Sequence, residues 1–128
     1  MAPKIQFLGD TVLIKTDGNS KTHNKKAGII HQLQDCTIAH ITGQVEIKEI
    51  KDYQADVLIL PPGQAEKILT KIKPKLAILT SSTLEKAREL HKKTGIQVIT
   101  AKNNLVVDLY TYSALSEQKN LSKFTEEK

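Results

Sequence analysis

The chain has 128 residues and a formal net charge of +5, a length that suits a single domain. Apolar residues make up 39% and aromatic residues 4%, with no Trp, so the core must be built from Ile, Leu and Val, as in strands buried on both faces. Lysine carries the positive excess and Arg88 is the sole arginine, which speaks against bidentate reading of bases or phosphates and for a solvated, Lys-rich surface.

Lys4 to Gly9 and Thr11 to Thr16 are two strand-like runs, with Gly9-Asp10 as the turn or bulge between them. Asp17-Gly18 is a hairpin-type dipeptide that stops the second run. Asn19 to Ala27 (NSKTHNKKA) is polar and cationic without an apolar period, which predicts a mobile loop. Gly28 to Leu33 and Cys36 to Thr42 form a second strand pair joined at Gln34-Asp35. In the second run Thr37, Ala39 and Ile41 face one way, and Ile38, His40 and Thr42 the other. Val45 to Ile50 alternates and predicts an edge strand, with a short helix as the alternative.

From Ala55 to Leu109 the pattern is more regular. Val57 to Leu60, Leu76 to Leu79 and Ile96 to Thr100 are short apolar runs separated by two helical stretches, the pattern of an α/β layer with adjacent parallel strands. Pro61-Pro62-Gly63 ends a strand and opens a helix. Over Gln64 to Ile72, the residues Ala65, Ile68, Leu69 and Ile72 make an apolar stripe at helical spacing. Lys73-Pro74 ends that helix. Ser81 or Ser82 is expected to cap the next helix, with Glu85 three residues after Ser82 as in a capping box, and Leu84, Ala87 and Leu90 are expected to form its buried stripe. Thr94-Gly95 is a helix stop. Asn103-Asn104 is expected to turn the last two strands, the second being Leu105 to Leu109, back on each other. Tyr110 to Leu115 follows as a docking segment, and 116–128 as a polar tail.

Cys36 is the sole cysteine, so no disulfide forms within the chain, in agreement with a reducing compartment. MAPKIQFLGD has no apolar stretch of signal-peptide length, and no run approaches the roughly 18 apolar residues of a membrane span. The expectation is a cytosolic protein without a membrane partner. Lys and Glu enrichment with few Cys and Met also fits heat adaptation.

The candidate chemistry is sparse. His31 and His40 fall on neighbouring predicted strands, with Cys36 and Asp35 near the turn between them, a set of metal-ligand types. A packed histidine and a small buried cysteine explain the same residues without metal. Asp10 is a candidate ligand too, although a turn aspartate bonded to backbone amides explains it. His23 sits beside Lys21, Lys25 and Lys26, a group that could contact a phosphate or nucleic acid, or simply be solvated. Ser81-Ser82-Thr83 at a helix start is explained by capping. No phosphate-binding glycine loop and no Gly-X-Ser-X-Gly elbow is present.

The ordered pieces KIQFLGDTVLIKTDG (Lys4 to Gly18), AGIIHQLQDCTIAHITGQ (Ala27 to Gln44), ADVLILPP (Ala55 to Pro62), KPKLAILTSS (Lys73 to Ser82) and TGIQVITAKNNLVVDL (Thr94 to Leu109) resemble the metallo-β-lactamase superfamily, in particular its small archaeal and bacterial metal-dependent hydrolases. The resemblance implies an α/β fold, a mixed sheet with helices on one face, in one shortened domain over residues 1–115. It also brings out departures. The family's His-X-His-X-Asp-His motif has no counterpart among His23, His31, His40 and His91. Gln44 stands after Gly43 where the family's Gly-Asp-Thr aspartate is expected, and Ser81 stands after Thr80 where a histidine is expected. A neutral amide cannot supply the anionic oxygen that bridges two zinc ions. The resemblance therefore implies a protein without the conventional zinc site or other cofactor. The family fold is a four-layer sandwich with two facing sheets. A chain this short is expected to leave one apolar sheet face exposed and to cover it by homodimerisation. A scaffold or binding module is the leading expectation. A divergent hydrolase of phosphodiesterase or nuclease type with a rebuilt zinc site, and a weak nucleic-acid binder using the Lys-rich loop, are the alternatives.

Overall fold

A computed structural model describes residues 3–9, 11–16 and 18–114; Asp10, Asp17, Leu115 and the 116–128 tail lie outside the described residues. The protein is mixed α/β, with two sheets. In chain order the strands are β1 (Lys4–Leu8), β2 (Thr11–Lys15), β3 (Lys21–Lys25), β4 (Gly28–Gln32), β5 (Thr37–Ile41) and β6 (Val57–Leu60). Then come α1 (Ala65–Lys71), β7 (Leu76–Leu79), α2 (Leu84–Thr94), β8 (Val98–Thr100), β9 (Val106–Asp108) and β10 (Ser113–Ala114). Short 3-10 helices cover Ile47–Tyr53 and Pro62–Gln64. The chain divides into two compact units, Met1–Asp17 with Lys102–Lys128, and Gly18–Ala101. No helix among the described residues is long and apolar enough to cross a membrane.

The first unit is a four-stranded antiparallel sheet in the order β10-β9-β1-β2. Phe7 and the 104–105 segment exchange backbone bonds, Phe7 N–H to Leu105 C=O at 2.9 Å and Asn104 N–H to Phe7 C=O at 2.7 Å. The Asp108 carboxylate accepts from the amides of Tyr110 (2.7 Å) and Thr111 (3.1 Å), an Asx turn that leads the chain back into β10.

The second unit is a six-stranded sheet in the order β3-β4-β5-β6-β7-β8. β3, β4 and β5 are antiparallel hairpin neighbours, and β5 to β8 run parallel. Ile30, Ala39, Leu58, Leu60, Ala77 and Leu79 share one sheet face and pack with Ile68 and Leu69 of α1, Ala87 and Leu90 of α2, and Ile50 and Tyr53. Each such Leu or Ile contributes about 1.5–3 kcal/mol by leaving water. At the amino ends of the parallel strands, Asp56 binds its neighbours together. Its carboxylate accepts from Thr37 N–H (2.9 Å), and its carbonyl accepts from the amides of Lys75 (2.8 Å) and Leu76 (3.2 Å).

The parallel β6, β7 and β8 and the two helices follow the sequence pattern, and Gly95 ends α2 in the left-handed conformation at φ 77°. Five local expectations are corrected. Residues 21–25 are not a loop but the edge strand β3, paired from Lys21↔Gln32 to Lys25↔Gly28. Every β3 side chain is exposed, so no apolar period betrays it; the ladder to β4 holds it. Residues 45–50 do not form a strand. The 3-10 helix over Ile47–Tyr53 places the buried Ile50 and Tyr53 three residues apart on one side, while Ile47 is 67% exposed. The cap of α2 is Thr83, whose Oγ1 accepts from Lys86 N–H at 3.2 Å, rather than Ser81 or Ser82. Leu84 is 54% exposed and does not join the stripe of Ala87 and Leu90; it is the first residue of α2. The Asn103-Asn104 turn forms, with Asn104 at φ 71°, but the strands flanking it do not pair. β8 joins β7, and β9 joins β1 and β10.

The face of β5–β7 opposite the helices was expected to be exposed. It is not: Ile38, Val57, Ile59, Leu76 and Ile78 alternate onto it and are all fully buried. β6 and β7 are buried at every position, the environment in which parallel strands carry continuous apolar runs.

Gly28 opens β4 where it meets β5. A Cβ there would press into the His40 carbonyl and stand 2.9 Å from Ile41 Cα, both backbone atoms that cannot swing aside. Gly28→Ala is expected to cost about 2 kcal/mol or more, read as a fall in the urea midpoint with unchanged slope.

Candidate functional site

The carboxyl ends of the parallel strands are where an open α/β sheet presents its loops for binding. Here they carry Gly43–Gln44–Val45 after β5, Pro61–Gln64 after β6, and Thr80–Thr83 after β7. The first of these loops is held tightly. Gln64 is buried, and its side chain spans the loop: Oε1 accepts from Val45 N–H (2.9 Å) and Nε2 donates to Gly43 C=O. Lys67 Nζ donates to Val45 C=O at 3.0 Å. On the other side, Ala27 C=O accepts from the amides of Thr42 and Gly43, each at 2.8 Å, and Ala27 N–H donates to the buried Tyr53 hydroxyl at 2.9 Å. The backbone polar groups of Gly43 and Val45 are thus satisfied by the protein itself. Gln44, between the two clamped residues, is exposed, and beside it Glu46, Lys48 and Lys67 bound an open depression. Ser81 is also exposed and has φ 52°, a left-handed backbone that costs a non-glycine residue about 1–2 kcal/mol.

His31 and His40 come together. His31 lies opposite Ile38 and His40 opposite Ile29 in the β4–β5 ladder, so the two imidazoles are diagonal neighbours on one sheet face. Both are half-buried. Burial lowers the pKa of His31, and burial followed by repulsion from His31 lowers that of His40. The pair thus favours the neutral form, the form that binds metals. Cys36 is buried at the start of β5, its Sγ 4.0 Å from Thr37 C=O. Among the described residues no three or more His, Cys, Asp or Glu side chains are grouped so as to hold a metal ion. Asp10 lies outside the described residues.

The cationic set lies on β3. Lys21, His23 and Lys25 project to one side and Thr22 and Asn24 to the other. Lys26, in the β3–β4 turn, stands 3.8 Å from Glu46, which also meets Lys48 at 3.8 Å. These are exposed pairs, worth little individually. Among the described residues neither Lys21 nor Lys25 has an ion-pair partner.

Sequence reasoning missed Gln64, Asp56, Tyr53 and Ala27 as the residues that hold this end of the sheet and its opposite. Gln64 carried a faint signal, a polar residue directly after Pro-Pro-Gly at a helix start. Ala27 carried none, since its role is played by its backbone. No family model matches the chain, and no curated protein or solved structure matches it.

Gln64→Ala removes both bonds from a buried side chain to the 43–45 loop and is expected to cost about 1–3 kcal/mol by urea unfolding, whereas Gln44→Ala at the exposed position in that loop stays within about 0.5 kcal/mol. The histidines generate a pH dependence. Both have folded pKa values below the ordinary 6.5, so between the folded values and 6.5 the unfolded chain binds more protons. Stability is then full above about pH 6.5 and falls as the pH drops below it. Urea midpoints from pH 8 to 5 should show this decline, and the double variant His31→Gln, His40→Gln should flatten it.

Proposed function

We propose that the chain is a non-catalytic, metallo-β-lactamase-like α/β protein of the cytosol that works as a binding module. The family reading rests on the order of the sequence pieces and agrees with a mixed α/β chain containing two sheets. The observation that carries the non-catalytic reading is the chemistry at Gln44 and Ser81. These occupy the loops after β5 and β7 where the family expects an aspartate and a histidine. An uncharged amide and a hydroxyl are poor zinc donors. The Gln44 loop is, in addition, clamped by Gln64 and Lys67, so its neighbours are committed to structure.

The competing reading is a divergent hydrolase whose ligands are rebuilt from Asp10, His31, Cys36, His40 or a partner chain. Elemental analysis separates the two. Protein purified without chelator or affinity tag, then incubated with zinc and desalted, is expected to hold far less than one zinc, manganese or iron ion per chain. One or more tightly held ions per chain would overturn the binding-module reading and point to hydrolase chemistry.

A further inference from the structure

We infer that β3 is a docking edge for an acidic, extended peptide segment, which adds to the six-stranded sheet as a further strand. The inference rests on the binding-module reading and names its partner class. Three observations carry it. β3 ends the sheet order, so among the described residues one side of its backbone has no strand beside it. All five of its residues are exposed. Lys21, His23 and Lys25 recur at every second residue on one face, about 6.6–6.8 Å apart, the spacing at which a paired strand presents its own alternate side chains.

The composition of this edge selects among occupants. A second copy of β3 laid antiparallel would set lysines against lysines or their near neighbours, and like charges in paired positions destabilise a ladder. Lysine on an edge strand is also a common guard against self-association. That guard repels cationic and neutral-apolar edges differently from an anionic one. A strand with Glu or Asp at alternate positions meets the unpaired Lys21 and Lys25 with opposite charge while its backbone completes the open ladder, the mode of β-strand addition. A single-stranded nucleic acid would use the charges alone. β3 offers it neither Phe, Tyr or Trp for base stacking nor Arg for bidentate phosphate contact.

The test uses the whole chain and a fluorescent peptide of alternating Glu and Val, with three comparators: the same peptide with Lys for Glu, the Glu peptide N-methylated at alternate amides, and an oligothymidylate. Anisotropy gives affinity, and amide NMR shifts locate the contact. The expected result is binding of the Glu peptide with the largest shifts at residues 21–25, no binding of the Lys peptide, and loss of binding on N-methylation. The variant Lys21→Glu, Lys25→Glu, confirmed as folded by circular dichroism, should bind the Glu peptide at least about tenfold more weakly and gain affinity for the Lys peptide. Equal binding of the N-methylated peptide would overturn strand addition. Equal binding by the charge-swapped variant, shifts away from β3, or binding of the oligothymidylate in place of the peptide would overturn the docking edge. Metal content is measured on the same preparation. A metal-free protein that ignores the peptide loses only this inference, and a metal-loaded protein that binds it loses only the non-catalytic reading.

Discussion

Burial of β6 and β7 at every position is the constraint on which the larger unit depends. A strand with no solvent-exposed face has no water to satisfy its backbone, so each N–H and C=O must be answered by a neighbouring strand. That demand fixes β5 on one side and β8 on the other. It also fixes the connections, since parallel neighbours need a crossover long enough to return to the starting end of the sheet. The three crossovers are the 3-10 helix, α1 and α2, and their apolar sides meet the same sheet face.

The two ends of the parallel strands are finished differently. At the amino ends a single acidic residue, Asp56, serves β5 through its carboxylate and the entry to β7 through its carbonyl. At the carboxyl ends the work falls to neutral or backbone groups: Gln64, the Tyr53 hydroxyl and the Ala27 carbonyl. A loop clamped by an amide on one side and a backbone carbonyl on the other can keep its shape without a metal ion. The exposed residues left over there are Gln44 and Ser81, and the left-handed backbone at Ser81 is a cost to the fold.

β3 obeys another logic. All five of its residues are exposed, and lysine on an open edge guards against edge-to-edge association. The hairpin is nonetheless anchored at its turn, because Ala27 is bonded on both its amide and its carbonyl. An exposed, cationic edge in the same sheet as the fully buried β6 and β7 gives the protein a surface that its core does not use.

The sequence by itself determined the central α/β layer. Val57–Leu60 and Leu76–Leu79 read as buried strands because continuous Ile/Leu/Val runs of that length fit little else. Ile68, Leu69, Ala87 and Leu90 read as helix stripes because their spacing matches 3.6 residues per turn. Gly95 stopped α2 for the steric reason that only glycine takes φ 77° freely. Of the candidate site, the placement of His31 and His40 on neighbouring strands was legible from the strand pattern, and the donor chemistry of Gln44 and Ser81 from identity alone; that the two histidines share a face was decided by the β4–β5 register. Tertiary structure decided what depends on partners distant in sequence. β3 is a strand only because β4 offers it a ladder, residues 47–53 coil because Tyr53 reaches Ala27, and the strands around Asn103-Asn104 separate because β9 pairs with β1. The strand ladders are backbone hydrogen bonds without a side-chain signature, and the Tyr53 hydroxyl meets a backbone amide 26 residues away, so no local pattern of residue types could have announced them.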